Sequence, residues 1–370
     1  MMRKINFTEV NPVDKSVQKK INSKILKVIK KKNFILGDEV KEFEKKFSKL
    51  ANTKYAIGCA SGTDALTLAL MSLDLDNKDE VIVPGLSYIS TGLSVLLNNN
   101  KLILTDIDSE TGLIDINKIK KRISKRTKVV IPVNLYGQKV DIKKLRKITG
   151  KKISIIEDSA QSHFAFQGDE KKVKPNSYVD ISCYSFYPAK NLGAFGDGGI
   201  ITVNNKNSYK KLLALRNLGS IKKNRHFLKG LNSRLDTLQA AVLNTKLNSV
   251  FNYNSKRRKI ADYYDKNLIN IKGIKLTKTS RGSSRHLYVI RVKNRDKLIK
   301  YLSKKKISCQ IHYPYSLNKL EAFKGYTKKV KLDVSERWSK DCLSLPIHPN
   351  LSNNDMKMIV DSIRQYFKSF

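Results

Sequence analysis

The side chains in this sequence best suited to chemistry are a lysine set among glycines and a strand-end carboxylate. Lys190 lies in SFYPAKNLGAFGDGG (185–199), a stretch too glycine-rich for a helix, where backbone can approach a ligand closely. Asp158 and Gln161 lie at the end of the strand-like run ISIIEDSAQ (153–161). A lysine amine can form a Schiff base, and a carboxylate can keep a pyridine nitrogen protonated so that the ring draws in electrons. Together they are the minimum equipment of pyridoxal phosphate chemistry. Gln161 can donate to the ring oxygen. Tyr88, in PGLSYIST (84–91), is a candidate to stack on the ring's other face, although core packing accounts for it equally well. A lysine beside a cationic ring should have a lowered pKa, as a proton carrier needs. Against this stands the base rate, since most lysines in this chain are solvated surface charges.

A phosphate also needs a seat. ASGTDAL (60–66) puts Ser61, Gly62 and Thr63 directly before a helical pattern. The first N–H groups of a helix have no internal partner and receive anions, and Gly62 lets backbone come close. An ordinary capped helix is the alternative. Ser185 adds a hydroxyl to the same place, or is a buried strand serine.

These groups need a scaffold that gathers them. Candidate strands are 79–84, 101–108, 128–135, 153–158, 180–186 and 199–204, and helical periodicity fits 64–74, 115–124 and 141–148. The alternation predicts an α/β fold with a mostly parallel sheet covered on both faces, its ligand at the carboxyl ends of the strands. Gly37-Asp38 reads as a helix start with Asp38 as N-cap and Phe43, Phe47 and Leu50 facing inward. Residues 232–249 read as an amphipathic helix and 250–266 as a further, basic one. The pattern then changes to mixed strands and helices, so we expect a large cofactor-binding domain over 1–250, with an N-terminal helical segment, and a small α+β domain over 251–370.

The composition is 40% hydrophobic and 28% charged, which describes a globular chain rather than a disordered one. No apolar run approaches the ~20 residues needed to span a bilayer, and MMRKINFTEVNPVDK has no apolar signal core. Cys59, Cys183, Cys309 and Cys342 are scattered without metal-binding spacing, which points to a reducing cytoplasm and to no metal site. The net charge of +41 raises the question of nucleic acid. The basic residues are spread along the whole chain with no recognition motif, so a lysine-rich composition is the simpler reading, and the field would still draw anionic substrates.

The motifs FILGDEVKEFE (34–44), GCASGTDAL (58–66), VIPVNLYGQ (130–138), EDSAQS (157–162), SFYPAKNLGAFGDGG (185–199), GLNSRLDTLQAA (230–241), IHYPYSLNK (311–319) and SLPIHP (344–349), in this order, resemble the DegT/StrS family of pyridoxal phosphate-dependent nucleotide-sugar aminotransferases. The resemblance implies fold type I and a homodimer with shared active sites. It implies Lys190 as the Schiff-base lysine, Asp158 at the ring nitrogen, Gln161 at the ring oxygen, Ser185 at the phosphate, and Asn232 reaching the phosphate of the neighbouring subunit. Some relatives carry His at the lysine position and dehydrate instead, so Lys190 favours amino transfer. NSRLDTLQAA with HYPYSLNK is most similar to the subgroup acting on UDP-2-acetamido-2-deoxy-3-oxo-glucuronate, where the equivalents of Arg234, His312 and Tyr313 contact the sugar acid. An Arg fork suits a carboxylate; the alternative is that Arg234 pairs with an acid of its own subunit. His163-Phe164 stands where a small residue followed by Gly is frequent. The implied reaction moves an amino group from glutamate to a keto-sugar nucleotide, for surface polysaccharide, lipopolysaccharide or amino-sugar synthesis. A dTDP-keto-6-deoxyhexose substrate and a non-catalytic regulatory paralogue are the alternatives.

Overall fold

Short apolar runs separated by helices build one central sheet. The computed structural model describes residues 3–11, 13–166, 178–222, 224–327 and 330–369. In chain order, helices α1 (Lys15–Lys31) and α2 (Asp38–Ala51) lead into strand β1 (Tyr55–Cys59) and helix α3 (Gly62–Met71). Then come β2 (Glu80–Pro84), α4 (Ile89–Leu97), β3 (Lys101–Thr105), α5 (Ile116–Ile119), β4 (Thr127–Val130), α6 (Ile142–Thr149), β5 (Ser154–Asp158), β6 (Ile181–Ser185), β7 (Gly199–Val203) and α7 (Lys206–Leu215). The sheet order is β1-β7-β6-β5-β4-β2-β3. All pairs from β6 through β3 are parallel, while β7 runs antiparallel to both β6 and β1.

Period-two alternation sends apolar side chains to both faces of this sheet. Ile57, Val81, Val83, Cys183 and Ile201 pack on one face with Leu66, Leu68 and Leu70 of α3. On the other face Tyr184 and Ile200 meet Val40, Phe43 and Phe47 of α2, and Ile82, Val130 and Ile155 meet Leu145 of α6. A buried ion pair between Arg216 and Glu44 ties α2 to the strand beside it, because Arg216 also donates to the Gly58 carbonyl at 2.8 Å and Gly58 N–H donates to Glu44 at 2.8 Å.

After a hairpin, β8 (Ser220–Lys222) and β9 (Arg225–His226), come α8 (Thr237–Lys246), α9 (Val250–Leu268), β10 (Ile274–Leu276), β11 (Tyr288–Val292), α10 (Arg295–Lys304), α11 (Asp333–Asp341), β12 (Cys342–Leu345) and α12 (Asn353–Lys368). Strands β10, β11 and β12 form an antiparallel sheet whose core includes Ile260, Tyr264, Leu298, Leu302, Ile359 and Ile363. Ile5 belongs to this same core and pairs with Ile307, so the first residues of the chain dock on its last third. Among the described residues no helix is long and apolar enough to cross a membrane.

Three local expectations change. The N-cap of α2 is Gly37, in extended conformation, and Asp38 is the first helical residue, where its charge suits the positive end of the helix. The helix expected over 115–124 shrinks to the single turn of α5, because Ile116 and Ile119 are buried while Lys120 and Lys121 face solvent. The helix expected from 232 begins at Thr237. The preceding residues are extended because Asn232 pairs with Asn217, Ser233 N–H donates to the Arg216 carbonyl at 2.9 Å, and Asp236 pairs with Ile35.

Phe164 has φ +54, a left-handed conformation that explains why Gly suits this position. Here the ring offsets the strain by packing 5.1 Å from Phe47 and 5.2 Å from Phe251.

Candidate active site

The carboxyl ends of β5 and β6, the start of α3 and the turn after β6 converge on a cavity of about 540 Å³. It is lined by Ser61, Gly62, Thr63, Tyr88, Asp158, Gln161, Ser185, Lys190, His312 and Tyr313, so ten residues singled out from the sequence share one space. Asn232 and Arg234 do not line it. Asn232 is exposed, and Arg234 donates to the Asn217 side-chain oxygen at 3.0 Å rather than to an acid. Between them, Ser233 donates to Asp64 at 2.6 Å and accepts from Ala60 N–H at 3.1 Å, so this segment is fastened to the start of α3.

The turn bearing Lys190 is held from below by Lys246, whose buried ammonium donates to the Gly193 carbonyl at 2.6 Å. Burial lowers the Lys190 pKa to about 8, and the Asp158 charge acts against that fall. A lowered value was expected from a neighbouring cation; here withdrawal from water produces it. Burial likewise lowers Lys246 to about 8.

Asp158 is buried, and burial raises its pKa. Opposing this, Thr91 Oγ1 donates to Oδ2 at 2.8 Å, the Ala160 N–H donates to Oδ1 at 3.2 Å, and the Lys190 charge is near. Since the Thr91 hydroxyl is committed to Asp158, it accepts from Ser87 Oγ at 2.7 Å. Next to Asp158, Glu157 is fully buried. Burial pushes its pKa up, but the paired Lys139 and the Ser159 hydroxyl outweigh it and leave the carboxylate charged.

Gln161 is oriented from both ends. Tyr136 N–H donates to Oε1 at 2.7 Å, and Nε2 donates to the Tyr313 hydroxyl at 2.8 Å. The amide hydrogens therefore face the cavity side. Burial, then the Asp158 charge, raises the Tyr313 pKa, so its hydroxyl stays neutral. His312 stacks on Phe7 at 5.6 Å, and burial followed by the Lys190 charge lowers its pKa to about 4. Tyr88 is more than half exposed on the wall, its ring 5.9 Å from that of Tyr313.

Whether pyridoxal phosphate fits is tested by the cradle. A Cβ on Gly62 would lie 2.6 Å from the Cβ of Ser185, so only glycine leaves the space between the start of α3 and the Ser185 hydroxyl open. Ser61 caps α3 by accepting from the Asp64 N–H at 3.0 Å, which leaves the Gly62 and Thr63 N–H groups for an anion. The Thr63 hydroxyl is 2.7 Å from that of Ser90. With a phosphate seat at one end, a buried carboxylate in the middle and an amine of lowered pKa beside it, the donor set fits the cofactor.

Several wall residues carry no mark in the sequence. Phe7, Thr8 and Val10 line the cavity from the docked N-terminal arm, and Gln310, Leu287 and His286 line it from the last third of the chain. Thr91 was within reach of sequence reasoning, because it lies one helical turn after Tyr88 in the same motif.

The sequence model of the DegT/DnrJ/EryC1/StrS aminotransferase family matches residues 15–364. The dTDP-3-amino-3,6-dideoxy-alpha-D-galactopyranose transaminase of Aneurinibacillus thermoaerophilus is 38% identical, over 98% of this chain and 99% of that protein. The UDP-2-acetamido-2-deoxy-3-oxo-D-glucuronate aminotransferase of Pseudomonas aeruginosa is 35% identical, over 96% and 98%. Among solved structures, DesV of S. venezuelae in complex with a ketimine intermediate superposes with a TM-score of 0.95 at 32% identity, covering 99% of each chain.

Proposed function

Because the chain belongs to the DegT/DnrJ/EryC1/StrS aminotransferase family, whose members depend on pyridoxal phosphate, we propose that it transfers an amino group from glutamate to a nucleotide-linked keto-sugar of the UDP-3-oxo-N-acetylglucosaminuronate type. The observation that carries this reading is the single cavity joining Lys190, Asp158, Gln161 and the Gly62–Ser185 cradle to His312 and Tyr313. When bound, the cofactor supplies a conjugated ring that takes up the electron pair left when a proton is removed from the carbon bearing nitrogen.

The chain's own residues do the rest. The Gly62 and Thr63 N–H groups and the Ser185 hydroxyl hold the phosphate. Asp158 keeps a proton on the ring nitrogen, and Thr91 fixes the direction of that carboxylate. Gln161 donates to the ring oxygen through Nε2. Lys190 would hold the cofactor through Nζ and, once freed, would be placed to accept and return a proton. With a pKa of about 8 before cofactor binds, its amine both accepts and returns a proton at small cost near neutral pH. Lys246 holds the turn that aims it.

The protein acts as a homodimer in this reading. Asn232 and Arg234, which lie outside their own cavity, serve the neighbouring subunit, Asn232 at the phosphate and Arg234 at the sugar acid. A dTDP-keto-6-deoxyhexose is the second substrate reading, favoured by the 38% identity to a dTDP-sugar transaminase. A panel of UDP- and dTDP-keto-sugars with glutamate, read by mass spectrometry of aminated products, decides between them. Failure on every keto-sugar nucleotide overturns the function.

A further inference from the structure

His286 stands two residues before β11, and its ring lies in the cavity wall, largely buried. Its Nδ1 is 3.0 Å from Asn191 Oδ1. The orientation of that amide is over-determined. Asn191 Nδ2 donates to the Ser284 carbonyl and to Asn254 Oδ1, both at 2.8 Å. Asn254 is fixed in turn, because its own Nδ2 donates to the His163 carbonyl at 2.9 Å. Both hydrogens of the Asn191 amide are thus in use, and its oxygen can only accept. The hydrogen between Asn191 and His286 therefore sits on His286 Nδ1.

Neutral imidazole carries one hydrogen, so Nε2 bears a lone pair. After burial itself, the groups acting most strongly on the ring are Lys190, Arg257, His312 and His163, and each disfavours a second proton. Burial and the Lys190 and Arg257 charges keep it neutral. Among the described residues Nε2 has no protein partner, and it is the ring's remaining polar atom on a wall shared with His312 and Leu287.

We infer that His286 Nε2 is the hydrogen-bond acceptor for a hydroxyl group of the sugar substrate, and that Asn191 is the positioning residue that fixes this polarity. The inference rests on the keto-sugar reading above. Glutamate offers carboxylates, which an acceptor repels, and a single ammonium that is used up in bonding to the cofactor. A sugar keeps its O–H donors throughout. A buried acceptor without a donor is costly, so this wall discriminates for a hydroxyl and against a deoxy position facing it.

The test uses the cofactor-loaded enzyme and follows the two half-reactions separately by absorbance. His286→Phe keeps the ring's bulk and removes the acceptor. It is expected to raise the KM for the keto-sugar nucleotide roughly tenfold and to leave the glutamate half-reaction within about twofold of wild type. A sugar analogue lacking the bonded hydroxyl is expected to lose the same factor with wild type and nothing further with the variant. Asn191→Asp still accepts from Nδ1–H but stabilises the doubly protonated ring. It is expected to add an acid limb to the sugar half-reaction alone, since Nε2 then becomes a donor; this arm decides the matter even where His286→Phe does not fold. Equal losses in both half-reactions, loss confined to glutamate, or no acid limb in Asn191→Asp overturns the inference while the proposed function stands. A wild-type enzyme that half-reacts with glutamate yet aminates no keto-sugar overturns the proposed function itself.

Discussion

Thr91 Oγ1 donates to Asp158 Oδ2 at 2.8 Å, across 67 residues of sequence. The carboxylate at the end of β5 is therefore aimed by a hydroxyl on α4, and this bond opposes the rise in pKa that burial causes. Thr91→Val keeps the shape and removes the donor. Turnover is expected to fall about tenfold, in line with a lost bond to a charged group worth ~1.5–3 kcal/mol, with a matching change in the absorbance titration of the bound cofactor. Thr91→Ser should recover most of both. A Thr91→Val enzyme indistinguishable from wild type removes the assigned role.

Lys190→Ala should still bind the cofactor through the Gly62–Ser185 cradle and Asp158. It should lose the absorbance band of the lysine-bound cofactor, and turnover should drop by ~10²–10⁴-fold, the range of a lost acid–base group. Equilibrium dialysis with the cofactor and a steady-state assay check the two halves. Substantial residual activity contradicts the mechanism.

Gly62→Ala places a methyl 2.6 Å from the Cβ and 3.2 Å from the Cα of Ser185, so one of the two segments must shift. Overpacking of this kind costs ~1–3 kcal/mol, so cofactor affinity should weaken by about tenfold or more. Fluorescence titration measures it, with circular dichroism as the check on folding. Unchanged affinity means that the phosphate sits elsewhere.

Lys190 and Lys246 both have folded pKa values lowered to about 8, against 10.5 for a free lysine. Below pH 8 both states of the protein hold these protons, and burying them destabilises the fold by a constant amount. Between about pH 8 and 10.5 the unfolded chain binds more protons than the folded one, so these groups make stability rise with pH. Denaturant unfolding of cofactor-free protein should show that rise, and Lys190→Met should flatten it while raising stability at pH 7. An identical pH slope in the variant contradicts the shift.

Mixing inactive variants tests the shared site. If Asn232 serves the neighbouring subunit, a Lys190→Ala/Asn232→Ala hybrid dimer has one site carrying both defects and one intact. Equal mixing after reversible dissociation should then restore roughly a quarter of wild-type activity. No restoration places Asn232 in the service of its own subunit, or of neither.

Much of this architecture is legible in the sequence because one chemical pattern dominates locally. Runs such as DEVIVP and GIITVN have no alternative to a buried strand, and NLGAFGDGG admits only a turn. Strand β1 is harder to see, because YAIGC contains a single β-branched residue and its strand character comes from pairing with β7. The turn at Asn232 looks helical by periodicity, but backbone bonds to Arg216 and bridges to Asn217 and Asp236's partner Ile35 compete successfully. At the site, Lys190, Asp158 and Gln161 announce themselves by side-chain type. His286 and Phe7 do not: a histidine before a strand and a phenylalanine near the N-terminus are ordinary until the fold brings them to one cavity.

The docking of Ile5 beside Ile307 has a consequence for synthesis. Ile5 N–H donates to the Lys306 carbonyl at 2.9 Å, and Ser308 N–H donates to the Ile5 carbonyl at 3.0 Å. Phe7, Thr8 and Val10, carried on that arm, form one wall of the cavity. That arm leaves the ribosome long before its partners at 306–308 and is thus among the last segments to find its place. A nascent chain that has already released Lys190 and its turn still lacks this wall, and the pocket closes only when the final third has been translated.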